Sequence, residues 1–143
     1  ARVNLVAAEA AERGWISADA KSLYEAGVKA SFEQWGAEDV DAYLASDKVA
    51  YAGTKAQKLE KIAMQRWLSG YMADGVEAWS DIRRLHVPVI EVGPAAVGIT
   101  HIPYRMKYSG AIAASNKKNY ESAVSAAFAG TNDAEHRIWW DVK

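Results

Sequence analysis

Ser17–Gly36 reads SADAKSLYEAGVKASFEQWG, and its spacing decides the fold. Ala20, Leu23, Tyr24, Gly27, Val28, Ser31, Phe32 and Trp35 recur at i, i+3, i+4 and i+7, the period of one buried helix face. Ser17 is a good N-cap, Asp19 suits the positive helix start, and Gly36 supplies the stop. No other stretch of the chain carries so unbroken a pattern.

Working outward, Arg2–Arg13 reads as a helix with Val3, Val6, Ala7, Ala10 and Ala11 on its inward stripe and Gly14 as its stop. Ala20, Tyr24 and Gly27 then stand four and three residues apart, an aromatic knob between two small residues. That is the spacing of the second helix of a tetratricopeptide repeat, and it predicts an antiparallel hairpin with Tyr24 inside. A short helix fits Glu38–Ala45, and Asp47–Gly53 reads as a loop. Thr54 caps a third long helix whose stripe is Ala56, Leu59, Ile62, Ala63, Arg66, Trp67, Gly70 and Tyr71, an apolar run interrupted by an arginine. A further helix runs from about Val76 to Leu85, with Ala78, Trp79, Ile82 and Leu85 inward, until Pro88 forbids much continuation. Pro88, Gly93, Pro94, Gly98 and Pro103 then punctuate an irregular extended segment over 87–115. Asn116 opens a last helix to about Phe128, with Tyr120, Val124, Ala127 and Phe128 inward and Gly130 as its end. The tail, Arg137-Ile138-Trp139-Trp140-Asp141, is apolar enough to dock, with at least one tryptophan mostly buried. The expectation is a single all-α domain over 1–143.

Composition narrows the function. The chain has 143 residues, half of them hydrophobic and a quarter charged, which excludes disorder. Its 17 basic residues against 18 acidic ones leave no basic excess, so nucleic acid is not an expected partner. With no cysteine, disulfides, thiolate metal sites and cysteine nucleophiles are excluded, and a lipid anchor would lie outside this chain. Ala1 leads straight into a helical pattern, as expected if the chain begins mid-protein. Six tryptophans and seven tyrosines point to an aromatic core or to a surface that stacks on flat ligands.

Most of the aromatic residues read as packing. Trp67 and Trp79 lie on helical stripes, and Trp15 plugs the turn after Gly14. Trp35 ends a helix beside the least regular stretch, which also carries Tyr43 and Tyr51; these three are the candidate ligand-binding residues. Arg83 and Arg84 suit the negative end of their helix. Glu77 and Asp81, four apart, read as solvated or arginine-paired and not as a glycosidase pair. His86, His101 and His136 are too scattered for a metal site, and no nucleophile elbow or phosphate loop is present. No catalytic residue, cofactor or metal is therefore expected, and the chain reads as a non-enzyme.

Six strings now stand in one order: Ala8–Trp15 (AEAAERGW), Tyr24–Phe32 (YEAGVKASF), Lys58–Trp67 (KLEKIAMQRW), Gly75–Arg84 (GVEAWSDIRR), Ile102–Tyr108 (IPYRMKY) and Arg137–Asp141 (RIWWD). Together they resemble the C-terminal part of the SusD/RagB family, nutrient-binding lipoproteins of the Bacteroidota outer-membrane surface. Two departures are visible. Many relatives have an acidic or proline-rich turn where this chain has Tyr108-Ser109-Gly110-Ala111, and they often have a glycine near His86. The resemblance implies an all-α fold of tetratricopeptide-like hairpins within a longer protein anchored by a lipidated cysteine. It implies binding of a glycan or other nutrient oligomer, and partnership with a TonB-dependent transporter. The alternative from the residues alone is a tetratricopeptide-type protein-interaction scaffold without a sugar ligand.

Overall fold

The computed structural model describes residues 1–142. It contains seven helices and no strand among the described residues: α1 (Arg2–Arg13), α2 (Ala20–Trp35), α3 (Val40–Ala45), α4 (Lys55–Ser69), α5 (Gly75–Leu85), α6 (Gly110–Ser115) and α7 (Lys117–Phe128). The chain divides into two compact units, 1–89 and 90–143. No helix lies between Leu85 and Gly110, and the last six residues of the 87–115 stretch wind into α6. Ser109 caps that turn by accepting the Ile112 N–H.

The helix boundaries follow from their caps. Gly14 and Gly36 take left-handed backbone, with φ of 82° and 63°, and close α1 and α2. Asp19, and not Ser17, caps α2: its carboxylate accepts the N–H groups of Lys21 and Ser22 at 3.1 and 3.3 Å. Thr54 and Gln57 form a reciprocal capping box at the start of α4. Asn116 precedes α7 without a side-chain cap bond, and Ala129 turns left-handed before Gly130 does.

In the first unit, α1 and α2 pair as a hairpin and α1 also packs on α4. Leu5, Ala8, Tyr24, Val28, Val49 and Ile62 form the core. Tyr24 is fully enclosed and donates its hydroxyl to the Val49 carbonyl at 2.7 Å. Gly27 is where the hairpin closes tightest. A Cβ placed there would stand 2.6 Å from Leu5 Cγ, so the small residue of the repeat-like spacing is sterically required.

The inward face of α1 differs from the expected stripe. Leu5, Ala8 and Glu9 are buried, whereas Val3 and Val6 are exposed. The cause lies on α4 and α5. Glu9, Arg66 and Asp81 are 4–6% exposed and make one ion network. Arg66 bonds Glu9 at 2.5 Å and Asp81 at 2.7 Å. Arg84 grips both Glu9 oxygens at 2.7 and 2.8 Å, and Arg13 adds a bond at 2.8 Å. Arg2 spans Asp74, Glu77 and Asp81 at 2.8–3.1 Å. Arg66 is therefore the centre of the α1–α4–α5 contact. Arg83 instead lies over the Trp79 ring at 3.7 Å. Ala56 and Ala127, expected inward, face solvent.

The second unit is organised by polar side chains around α7. Arg105 is buried against the Phe128 ring at 3.7 Å and donates to the Asp133 carbonyl. Asn132 accepts from the Tyr108 N–H and donates to the Tyr108 carbonyl, both at 2.9 Å, as a paired strand residue would. The tail is docked through a different residue from the one expected. Trp139 is 89% and Trp140 38% exposed, while Asp141 is 4% exposed. Arg137 holds Asp141 at 2.7 Å and lies over the Tyr104 ring at 4.0 Å. A carboxylate needs a partner to be buried, and the neighbouring turn supplies one, whereas two consecutive indoles have no common face to fill.

Candidate functional site

The chain from Ser46 to Gly53 leaves α3, arches over the first unit and returns into α4. Its carbonyls turn inward. Lys61 donates to the carbonyls of Asp47, Ala50 and Ala52 at 3.0, 2.7 and 3.4 Å, and Tyr24 takes that of Val49. One ammonium thus uses its three donors on one loop, which fixes the arch against α4.

Between this arch and α4 lies a groove of about 850 Å³. The helix lines it with Gln57, Glu60, Lys61 and Met64, which recur at i, i+3, i+4 and i+7 on the side of α4 away from Ile62 and Arg66. The arch contributes Asp47 and Lys48, and α3 contributes Tyr43. Tyr43 is half-buried against Phe32, with ring centroids 5.1 Å apart, and Gln65 donates to its hydroxyl at 2.9 Å. The side chains of Asp47, Lys48 and Glu60 have no hydrogen-bond or ion-pair partner among the described residues.

The other two candidates lie elsewhere. Trp35, 45% exposed, meets Tyr71 edge-to-face at 5.9 Å and lines a smaller, mostly apolar pocket with Trp67, Leu68 and Ala78. Tyr51 lies against Tyr24 with ring centroids 5.1 Å apart and donates to Glu12 at 2.5 Å. Burial pushes its phenol well above the ordinary range, and the Glu12 carboxylate beside it pushes the same way. The structure thus places Tyr43 in the groove, Trp35 in the apolar pocket and Tyr51 in neither. Sequence reasoning passed over Asp47, Lys48, Gln57, Glu60 and Met64; the second, polar stripe on α4 was the available signal.

Glu77 and Asp81 both engage arginines in the ion network, so they do not form an open carboxylate pair. Among the described residues, no three or more His, Asp or Glu side chains are placed to hold a metal ion. No helix among them is long and apolar enough to cross a membrane.

Residues 1–109 match the model of a family described as SusD-like, starch-binding associating with outer membrane. The chain belongs to the SusD-like family. Its fold agrees with that of solved SusD-like structures. A Bacteroidetes SusD-like protein, AC2a, is 28% identical with a TM-score of 0.85, covering 99% of this chain and 29% of its own. A SusD homologue from Bacteroides fragilis is 27% identical with a TM-score of 0.84, covering 98% of this chain and 33% of its own. A chitin-binding protein is 34% identical with a TM-score of 0.77, covering 98% and 32%. The chain thus spans about a third of the length of the SusD-like structures it matches. No curated protein matches it significantly.

Proposed function

We propose that this SusD-like chain takes part in nutrient capture at the bacterial outer-membrane surface, without catalysing a reaction. In this reading the whole protein binds a glycan and passes it to a TonB-dependent transporter. It is held at the membrane by a lipid anchor outside this chain. The observation that carries the reading is the family match over residues 1–109, joined to a shared fold over 99% of the chain. The chemistry of the site agrees with it. Glu77 and Asp81, the carboxylates at a spacing that could suggest acid–base work, are bound by Arg2, Arg66 and Arg84 and line neither the groove nor the apolar pocket. The groove instead offers polar groups without an internal partner beside an aromatic ring, which suits binding.

The test is affinity purification of the tagged protein from detergent-solubilised outer membranes of its own host, alongside calorimetric titration with oligosaccharides. The expected outcome is a TonB-dependent transporter in stoichiometric amount and saturable binding of at least one oligosaccharide. Recovery without a transporter, together with no oligosaccharide binding, would refute the reading and leave a protein-interaction scaffold in its place.

A further inference from the structure

The groove between the 46–53 arch and α4 has three properties that together narrow its ligand. Its walls are held in place without a ligand. Lys61 fixes three carbonyls of the arch, Tyr24 a fourth, and the Thr54–Gln57 capping box pins the point where the arch enters α4. A site so held costs little to order on binding. Its volume of about 850 Å³ lies in the range of small-ligand sites, enough for a few sugar rings. Its lining mixes an aromatic edge and a thioether, Tyr43 and Met64, with three polar groups that have no internal partner, Asp47, Lys48 and Glu60.

The charges in that lining cancel, Asp47 and Glu60 against Lys48 and Lys61. An anionic ligand would meet two carboxylates with no excess of cations to offset them, and a cationic ligand would meet two ammonium groups. A ligand with many hydroxyls and no charge meets acceptors and donors alike. A pyranose also has an apolar face for Met64 and Tyr43, while carboxylates accept strong hydrogen bonds from its hydroxyls. We propose that this groove is a contact site for a neutral oligosaccharide, with Asp47 and Glu60 accepting from sugar hydroxyls and Lys48 donating to one. The proposal rests on the nutrient-binding reading and gives it a location and a ligand class.

The experiment is calorimetric titration of the full chain with maltoheptaose, chitohexaose and hexagalacturonate. It is repeated on Asp47→Ala, Glu60→Ala and the double variant, with acetylation rates of Lys48 and Lys117 measured with and without sugar. Asp47 and Glu60 are exposed and unpaired, so the variants should melt with the parent. The expected result is binding of a neutral oligosaccharide, weakened at least tenfold in the double variant. Lys48 acetylation should slow on binding while that of Lys117 does not change. Neutral binding that the variants leave unchanged would overturn the groove assignment and spare the nutrient-binding reading. Variant-sensitive binding of hexagalacturonate would overturn the neutral ligand class. A parent chain that binds none of the three would overturn this proposal, and the transporter pull-down would then decide the wider reading.

Discussion

Gly27 and Glu9 show how single residues set the first unit. A methyl group at position 27 would press into Leu5, so Gly27→Ala should destabilise the unit by about 1–3 kcal/mol, read as a fall in melting temperature. An unchanged melting temperature would mean that the hairpin can relax. Because the clash is with one side chain, Leu5→Ala combined with Gly27→Ala should cost less than the sum of the two. Glu9 is governed by opposing effects. Burial alone would raise its pKa, but hydrogen bonds from Arg84 and Arg13 and the charges of Arg84 and Arg66 hold it at about 2. A carboxylate depressed in the folded state adds stability above its unfolded pKa and loses it as pH falls through the folded value. Each tenfold change in proton affinity is worth about 1.4 kcal/mol. The contribution is therefore roughly 3 kcal/mol at neutral pH, lost between about pH 4.5 and 2. Glu9→Gln should abolish that slope in denaturation curves and cost about 3 kcal/mol at pH 7, since Arg66 would lose one of its two buried carboxylates and keep Asp81. At the other extreme, Ala129 sits exposed in left-handed backbone with φ of 48°, so Ala129→Gly should stabilise by about 1 kcal/mol.

At the scale of elements, the helices were legible because their signals are local. The α2 stripe, the glycine stops and the Thr54 cap lie within a few residues of the structure they determine, and the element limits agree closely. What was not legible depended on distant partners. Hydrophobic period places glutamate outward, so the Val3–Val6 side of α1 looked like the core side; Arg66 and Arg84, 57 and 75 residues away, make Glu9 the better inward residue. Helix α6 is six residues long, too short to show a period. The groove was hidden for the same reason, since its two walls are a loop read as a mere connection and the less apolar side of a helix whose other side is core. The arch gives a direct check. Lys61→Met keeps the length of the stem but removes the three carbonyl bonds. It should cost about 0.5–1.5 kcal/mol in unfolding titrations, since water can reach the carbonyls it frees, and make residues 46–53 a site of limited proteolysis. Resistance to protease equal to that of the parent would show that Tyr24 and the capping box suffice.

Across the whole molecule, the two units are held by different means. The first combines an apolar hairpin with the arginine–carboxylate network, and the second uses Arg105, Asn132 and the Arg137–Asp141 pair around one helix. Val89 and Val97 are among the most exposed apolar residues, so protease should cut first between Val89 and Ile99 and release the two units as fragments. Early cleavage inside α4 would contradict this. The tail carries a contrast of its own: Trp139→Ala should change stability by under about 0.5 kcal/mol, whereas Asp141→Ala, which removes the buried carboxylate that Arg137 holds, should cost about 1–3 kcal/mol. The buried network also bears on heat and salt. Mobile ions cannot reach Glu9, Arg66 and Asp81, so added salt should leave their contribution nearly intact. The cost of dehydrating charged groups falls as temperature rises, while apolar burial gains little more per unit area. On warming, the contact of α1 with α4 and α5 should therefore outlast the apolar contacts around it, the reverse of the order expected if hydrophobic packing alone joined these helices.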